Sequence, residues 1–194
     1  MRPALVLSLA CALLWTGPAQ ARVVKRYSPA HPNEISGGVG FAADLSAFTP
    51  GGFKWFNEYG RHLDGPTWIN LQLNVTAGEG GRCYWSQGDV WVCDGWRGSA
   101  MELVLGVKLK WRVAGGPVQL QTKLGAASEL VWFNVYHGTA LALRGGFGVR
   151  YFVVPQLSVG AELASALGPL FSRYGGGAEL YAAVDLNLGV EWRF

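Results

Sequence analysis

The chain has little charge and few methionines for its 194 residues. Only 15% of the residues are charged and 2 are methionine, whereas 50% are hydrophobic. This balance excludes a disordered tail and a coiled coil. The net charge of +3 is not gathered into a basic patch. We therefore do not expect a nucleic-acid-binding protein.

Long hydrophobic runs are also missing once the first 21 residues are set aside. No later segment reaches 18 uninterrupted apolar residues, so the sequence predicts no transmembrane helix. Glycine and tryptophan are abundant instead, with 28 and 9 residues. That bias fits twisted β-strands better than a helical bundle.

Residues 1–21 have the pattern of a secretory signal peptide. Arg2 supplies the positive start, residues 4–15 are almost wholly apolar, and residues 19–21 form a small-x-small cleavage site. We expect cleavage after Ala21 and a mature domain over residues 22–194. A lipid anchor at Cys11 is the alternative, although Ser8 occupies a position where a lipobox needs an aliphatic residue.

Cysteines are scarce, and cleavage would leave only Cys83 and Cys93. An even count in an oxidising compartment predicts a disulfide between them. Closing this small ring should stabilise the fold by roughly 2–3 kcal/mol. No histidine lies between or beside the two cysteines, so we expect neither a metal site nor a cofactor.

Alternation of apolar and polar residues runs through the mature chain. In the last segment one face carries Leu180, Ala182, Val184, Leu186, Leu188, Val190, Trp192 and Phe194. Similar alternation occurs over residues 69–76, 101–112, 118–126, 141–151 and 157–163. A period of two predicts β-strands with two different faces.

The connections between these segments are of two kinds. Residues 114–117 and 154–156 are tight turns, and residues 77–98, 129–138 and 168–176 are predicted to be longer loops. Short turns at one end and long loops at the other are typical of an outer-membrane β-barrel.

Alternation alone does not decide which face points inward, because a soluble lipocalin-like barrel has the reverse orientation. Two features favour the membrane barrel. The polar face is dense in glycine and charge, which suits a filled lumen. Aromatic residues also fall near the short turns, as in an interfacial girdle: Trp111, Tyr151, Trp192 and Phe194.

The chain ends in a pattern that resembles the C-terminal β-signal of Gram-negative outer-membrane proteins. The residues that carry the resemblance are Leu186, Leu188, Val190, Trp192 and Phe194. In style the chain is similar to the small OmpA- and OmpX-like barrels. The resemblance implies export to the outer membrane and contact with its lipids. It also implies periplasmic chaperones and the barrel-assembly machinery as partners during biogenesis.

Six strands are predicted at residues 67–77, 98–112, 117–130, 139–153, 156–167 and 177–194, and a seventh at 34–48. An even barrel needs an eighth strand, in 49–66 or 22–33, although residues 52–63 could equally form a short helix. We predict an all-β, antiparallel, up-and-down transmembrane barrel of eight strands.

A barrel of eight strands is just wide enough for its side chains to fill the lumen. The predicted lumen charges are Glu102, Lys108, Lys110, Lys123, Glu129, Arg144, Arg150, Glu162, Glu179, Asp185 and Glu191. Buried charges must pair or be hydrated, so we expect a plug of ion pairs. A selective ion path is the alternative.

Two further features bear on function. The mature chain contains three histidines, His31, His62 and His137, and none of them lies in a sequence motif typical of a catalytic site. His137 could nevertheless approach Ser172 in another outer loop.

The segment from Cys83 to Trp96 is rich in aromatic residues, namely Tyr84, Trp85, Trp91 and Trp96. These residues form either a recognition surface or an upper aromatic girdle.

The hypothesis is therefore a small, non-catalytic outer-membrane barrel with a structural or surface-interaction role. The alternatives are a lipid-modifying outer-membrane enzyme, a narrow channel and a soluble ligand-binding barrel.

Overall fold

In the computed structural model, eight strands form one closed antiparallel barrel in which each strand pairs with its neighbours in sequence. The structure describes residues 31–46, 50–85, 91–133, 136–172 and 178–194, without the side chains of residues 44, 80–85, 91–96, 133, 136 and 172. The strands are β1 (Asn33–Asp44), β2 (Gly51–Asp64), β3 (Thr67–Trp85), β4 (Trp91–Arg112), β5 (Val118–Phe133), β6 (Tyr136–Val154), β7 (Leu157–Ser172) and β8 (Ala178–Arg193). The predicted eight-stranded up-and-down barrel is confirmed.

The first hairpin is formed by β1 and β2. Residues 52–63 belong to a strand, so the helical alternative for this segment is wrong. The pairing runs from Asn33↔Arg61 to Ala42↔Gly52. The alternation of apolar and polar residues in β2 was difficult to recognise in the sequence because two residues depart from it. Apolar Phe56 is buried inside the barrel, and polar Asn57 lies on the outward face.

The hairpins at one end extend further than predicted. The three segments assigned to long loops, 77–98, 129–138 and 168–176, are instead largely strand, since β3 continues to Trp85, β5 to Phe133 and β7 to Ser172. Period-two alternation continues through the wall in these segments: Glu129 and Val131 are buried, and Leu130 and Trp132 are exposed. The connections of these three hairpins, 86–90, 134–135 and 173–177, lie outside the described residues, as do residues 47–49 of the connection between β1 and β2 at the same end.

The connections at the other end are short. Gly65 (φ +53°) begins the turn between β2 and β3, and Ala114 (φ +46°) and Gly115 (φ +71°) lie in the turn between β4 and β5. Positive φ values fit tight hairpin turns, where glycine is favoured because it has no Cβ. In outer-membrane barrels, short turns face the periplasm and long hairpins face the cell exterior.

The two faces of the wall differ sharply in chemistry. Charged and amide side chains are buried in the lumen, while leucine, valine and aromatic side chains cover the outside, among them Leu143 and Leu124 at 68% and 66% exposure. An apolar exterior around a polar interior is the arrangement of a membrane barrel. The soluble, lipocalin-like alternative is therefore wrong.

Candidate functional site: a filled lumen and a projecting hairpin

Stacked cations and aromatic rings close the lumen at the short-turn end. The guanidinium of Arg193 lies 4.4 Å from the ring centre of Phe152 and 5.5 Å from that of Trp68. The guanidinium of Arg112 lies 5.1 Å from the Phe152 ring, and Lys110 Nζ lies 4.6 Å from the Trp68 ring. Lys110 and Arg193 are buried, and desolvated cation–π contacts such as theirs are strong, whereas Arg112 is exposed. We call these five residues the floor.

Above the floor lies the lower ion-pair network. Lys108 bonds to Glu34 and Glu58, and Lys110 bonds to Glu34 and, at 3.0 Å, to Glu191. The remaining members are Lys123, 2.5 Å from both Glu58 and Glu162, and Arg193, 2.8 Å from Glu191. Glu34, Glu58 and Glu191 therefore each pair with at least two cations, and Glu162 shares Lys123 with Glu58. This pairing offsets the free-energy cost of removing the carboxylates from water.

The upper ion-pair network is a ring of two cations and two carboxylates. Arg144 donates from Nη1 to Glu102 at 3.0 Å and bonds through Nη2 to Asp185. Lys54 lies 2.6 Å from Asp185 and 3.5 Å from Glu102. Asn74 Nδ2 donates a further hydrogen bond of 2.6 Å to Glu102. Four strands, β2, β4, β6 and β8, are thereby joined across the lumen.

Small and apolar residues fill the lumen beyond the upper network, toward the long hairpins. They form one buried cluster that includes Ala100, Ala127, Ala140, Ala142, Ala166 and Ala183, with Val131, Leu170 and Tyr181. Between the two ion-pair networks the structure has a cavity of only about 10 Å³, lined by Lys123, Arg144 and Glu162 among others. A space of this size holds about one water molecule. The described part of the lumen is therefore filled along its length.

Inward-facing glycines make this packing possible. A Cβ on Gly160 would lie 2.6 Å from Arg150 Cδ, and one on Gly148 would lie 2.8 Å from Gln121 Nε2. The long side chains of Arg150 and Gln121 therefore occupy the space above glycines of the neighbouring strand. This is the physical basis for the coexistence of glycine and charge on the polar face.

The predicted lumen charges all lie on the inward face, but not all are paired. Arg150 Nη1 donates to the carbonyl of Gly189 at 3.3 Å, and its Nε lies 4.0 Å from Glu191. Among the described residues, Oε2 of Glu129 and Oε2 of Glu179 have no hydrogen-bond partner. The ion-paired members of the prediction are Glu102, Lys108, Lys110, Lys123, Arg144, Arg150, Glu162, Asp185 and Glu191.

Sequence reasoning missed four central members of the networks: Glu34, Lys54, Glu58 and Arg193. Three of them belong to the first hairpin, whose strand positions the sequence did not define. The signal was present, because Lys54, Glu58 and Gly60 alternate with the exposed Phe53, Trp55 and Tyr59.

The histidines are separated in the fold. His62 Nε2 lies 2.9 Å from the carbonyl oxygen of Gly65, and its ring packs edge-on against Trp68. His137 is exposed and pairs in register with Trp132, whereas Ser172 is opposite Gly138. His31 precedes β1. The side chain of Ser172 lies outside those described. Among the described residues, no group of three or more histidine, cysteine or acidic side chains could hold a metal ion.

The hairpin of β3 and β4 extends beyond its neighbours. The pairing of β2 with β3 reaches only Gly51↔Glu79, and the pairing of β4 with β5 begins at Gly98↔Phe133. Beyond these points β3 and β4 pair only with each other among the described residues, over six pairs from Gly80↔Trp96 to Trp85↔Trp91. This two-stranded ribbon, residues 80–85 and 91–96, is about 20 Å long.

The predicted disulfide and aromatic candidates fall on the ribbon. The backbones of Cys83 and Cys93 are directly opposite each other in the register, as are those of Trp85 and Trp91. Tyr84 is opposite Val92, and Trp96 is opposite Gly80. Their side chains are outside the described set, so the disulfide stays a prediction.

The last strand places the residues of the predicted assembly signal on the lipid-facing side. Leu186, Leu188, Val190, Trp192 and Phe194 are all exposed, at 47–57%. Phe194 is held at the barrel seam, where its N–H donates to the carbonyl of Asn33 at 2.9 Å and its carbonyl accepts from Asn33 at 3.1 Å. The predicted girdle residues Trp111 and Tyr151 are also exposed near the short turns.

A closed eight-stranded barrel with an apolar exterior and an ion-paired lumen is a small transmembrane β-barrel of the outer-membrane type. No helix among the described residues is long and apolar enough to cross a membrane.

Comparison with solved structures gives the same class. Neisserial surface protein A matches with a TM-score of 0.59 at 13% identity, over 84% of this chain and 96% of the other. The outer membrane protein OprG of Pseudomonas aeruginosa matches with a TM-score of 0.58 at 10% identity, over 86% and 97%. A major outer membrane protein of Thermus thermophilus matches with a TM-score of 0.51 at 16% identity, over 84% and 100%.

At these identities the likeness is one of fold, and the fold is that of small barrels from Gram-negative outer membranes. Together with the apolar exterior it locates the protein in the outer membrane. No protein-family model and no curated protein matches the chain.

Proposed function

We propose that the protein is a non-catalytic, non-conducting outer-membrane barrel that acts at the cell surface through the ribbon of residues 80–85 and 91–96. The observation that carries this proposal is the contrast between a filled lumen and a hairpin that leaves the barrel wall. A filled lumen offers no space for a substrate or a pore, whereas an exposed hairpin offers a surface for recognition.

The lumen argues against the channel. A conducting pore needs a continuous aqueous path, and the two ion-pair networks, the floor and the apolar cluster occupy successive levels of the barrel. Opening a path would require separating buried charges from their partners, which is strongly unfavourable.

The placement of the histidines argues against a lipid-modifying enzyme. A serine hydrolase or acyltransferase needs a histidine within hydrogen-bond reach of its nucleophile. His62 is engaged with Gly65 and Trp68 at the short-turn end. At the other end, the backbone of Ser172 is opposite Gly138 in the register and not opposite His137.

The ribbon supplies the positive part of the proposal. A two-stranded hairpin is marginally stable alone in water, so it needs a local constraint. The opposed register of Cys83 and Cys93 supports a disulfide across the ribbon, and four aromatic residues in the sequence near it, Tyr84, Trp85, Trp91 and Trp96, are of the types enriched at binding hot spots.

The test compares the full chain with a variant in which residues 80–96 are replaced by an Asn-Gly turn. Both are folded into nanodiscs and applied to an array of surface glycans and extracellular proteins. We expect the full chain to bind one class of target and the variant to lose that binding while it stays folded. Equal binding by both proteins, or no binding by either, would refute the role of the ribbon.

A lipid A profile of cells that express the full chain provides the separate test for enzymatic activity. We expect the profile to match that of cells lacking the protein. A new lipid A species that disappears in a His137→Ala variant would replace this proposal with the enzyme.

A further inference from the structure

The ribbon of residues 80–85 and 91–96 has two strand edges that no described strand covers. On the β4 side, β5 ends at Phe133, opposite Gly98, and its connection to β6 consists only of residues 134–135. Two residues span about 7 Å at full extension, whereas the ribbon is about 20 Å long. This connection therefore leaves most of the β4 edge uncovered.

The hydrogen-bond pattern of the hairpin shows which backbone groups the β4 edge presents. Lys110 N donates to the carbonyl of Pro66 at 2.9 Å, and the register of β3 with β4 continues without a shift through the ribbon. Even-numbered residues of the two strands therefore bond to each other, and odd-numbered residues bond away from the partner strand. In the ribbon, the N–H and C=O groups of Trp91, Cys93 and Gly95 point to the free edge.

The β4 edge lacks features that commonly prevent an edge strand from pairing with another chain, namely lysine, proline and β-bulges. Residues 91–96 contain neither lysine nor proline, and their register with β3 shows no bulge. They include two tryptophans and a valine, which are residue types enriched in strands. The β3 edge is different, because it begins with two glycines, Gly80 and Gly81, and lies beside the longer connection 45–50.

We propose that the β4 edge of the ribbon binds an extended polypeptide segment of a partner protein, which adds to residues 91–95 as a further β-strand. The three odd-numbered residues each offer one donor and one acceptor, at a spacing of about 7 Å that matches the repeat of a second strand. A glycan has no main chain with this repeat. In complexes of this kind the main chain supplies affinity and alternate side chains supply specificity. The inference rests on the proposed function and names the chemistry of its partner.

The test selects binders from a phage library of random peptides of about 12 residues, long enough to span the ribbon. The full chain is folded into nanodiscs, and empty nanodiscs remove peptides that bind lipid or scaffold. We expect peptides that bind the full chain but do not bind the variant in which an Asn-Gly turn replaces residues 80–96. One selected peptide is then synthesised, and its Kd is measured for the wild type and for two variants.

A pair of proline substitutions separates the two edges. Gly95→Pro removes an N–H from the β4 edge, and Gly81→Pro removes one from the β3 edge, directly opposite in the register. Neither change removes a bond between β3 and β4, and proline is tolerated where the N–H of an edge strand faces solvent. We expect Gly95→Pro to weaken binding about fivefold or more, the size of one main-chain hydrogen bond. Gly81→Pro should leave binding unchanged.

Two controls keep the comparison valid. A heat-modifiability gel and limited proteolysis within residues 80–96 establish that the barrel and the ribbon are intact in each variant. A backbone N-methyl scan of the selected peptide tests main-chain pairing with the wild-type protein alone. Only every second residue of an added strand bonds to the edge, so we expect N-methylation to weaken binding at alternate positions.

The proposal is overturned by any of four results. These are no selected peptide, wild-type affinity in Gly95→Pro with an intact ribbon, an equal loss in Gly81→Pro, or an N-methyl scan without alternation. Binding of a glycan on the array without selection of any peptide would overturn this inference and leave the proposed function in place. Absence of any binder to the ribbon in both experiments would refute both proposals.

Discussion

Glycines on the inward face of the barrel leave space that side chains of the adjacent strands occupy. Gly160 makes this clear, because a Cβ there would lie 2.2 Å from the carbonyl oxygen of Val149 and 2.6 Å from Arg150 Cδ. An outward glycine differs. A Cβ on Gly145 would meet nothing closer than the Lys123 carbonyl oxygen at 3.9 Å. The two positions therefore offer a matched comparison.

We predict that Gly160→Ala lowers the free energy of unfolding by about 1–3 kcal/mol, as overpacking does in a filled core. Gly145→Ala should change it by less than about 0.5 kcal/mol. Urea unfolding in lipid vesicles, followed by tryptophan fluorescence, measures both. Equal effects of the two substitutions would contradict a tightly filled lumen.

Arg144 bonds to both carboxylates of the upper ion-pair network, Glu102 and Asp185. Arg144→Met leaves these carboxylates with Lys54 as their one remaining cation among the described residues. We predict a loss of about 3–5 kcal/mol in the free energy of unfolding, the usual result of breaking a buried pair. Urea unfolding measures this loss.

The matched control for Arg144 is Arg61→Met, at an exposed arginine near the short turns. Its effect should stay within about 1 kcal/mol, as for surface charges generally. If Arg144→Met were no more costly than this control, the upper network would not be a buried, ion-paired cluster.

The alternation of single residues was sufficient to predict most of these charges. Lumen positions such as Glu102 and Asp185 could be identified because their neighbours in sequence are uniformly apolar. Their partners could not, because Arg144 and Asp185 are 41 residues apart and meet only through the closure of the barrel.

Among the elements, the β3–β4 ribbon is the one least supported by its neighbours. It makes no lateral strand pairs with described residues beyond Glu79 and Gly98. Its order should therefore depend on the predicted disulfide between Cys83 and Cys93, whereas the order of the barrel wall should not.

We predict that Cys83→Ser together with Cys93→Ser leaves the barrel folded but exposes the ribbon to proteolysis. Intact-mass analysis of the wild type should show two hydrogens fewer than the reduced chain, the mark of a disulfide. Limited proteolysis should cut the double variant within residues 80–96 at least several-fold faster. A wild type with two free thiols, or equal rates of cleavage, would contradict the constrained ribbon.

The first hairpin shows where sequence reasoning fails at this scale. β2 carries an inward phenylalanine and an outward asparagine at Phe56 and Asn57, so its period of two is broken at the middle. Phe56 is accommodated because Gly189 faces it, with a would-be Cβ 2.7 Å from Phe56 Cζ. This contact between β2 and β8 cannot be predicted from the sequence, because the two strands come together only in the closed barrel.

At the scale of the molecule, the order of strands followed from the sequence because every connection joins neighbours. Short turns, even strand number and a continuous apolar face leave little choice of topology. The extent of the hairpins did not follow, because alternation of the same kind runs from the lipid-facing wall into the projecting strands.

The central claim concerns the described part of the lumen, which is filled by charged side chains that are mostly ion-paired, by stacked rings and by small apolar side chains. The most direct measurement is the conductance of the folded protein in planar lipid bilayers, with folding verified by a heat-modifiability gel. The account predicts no discrete conductance steps. Regular steps of uniform size would contradict it, since they require a continuous water-filled path through the barrel.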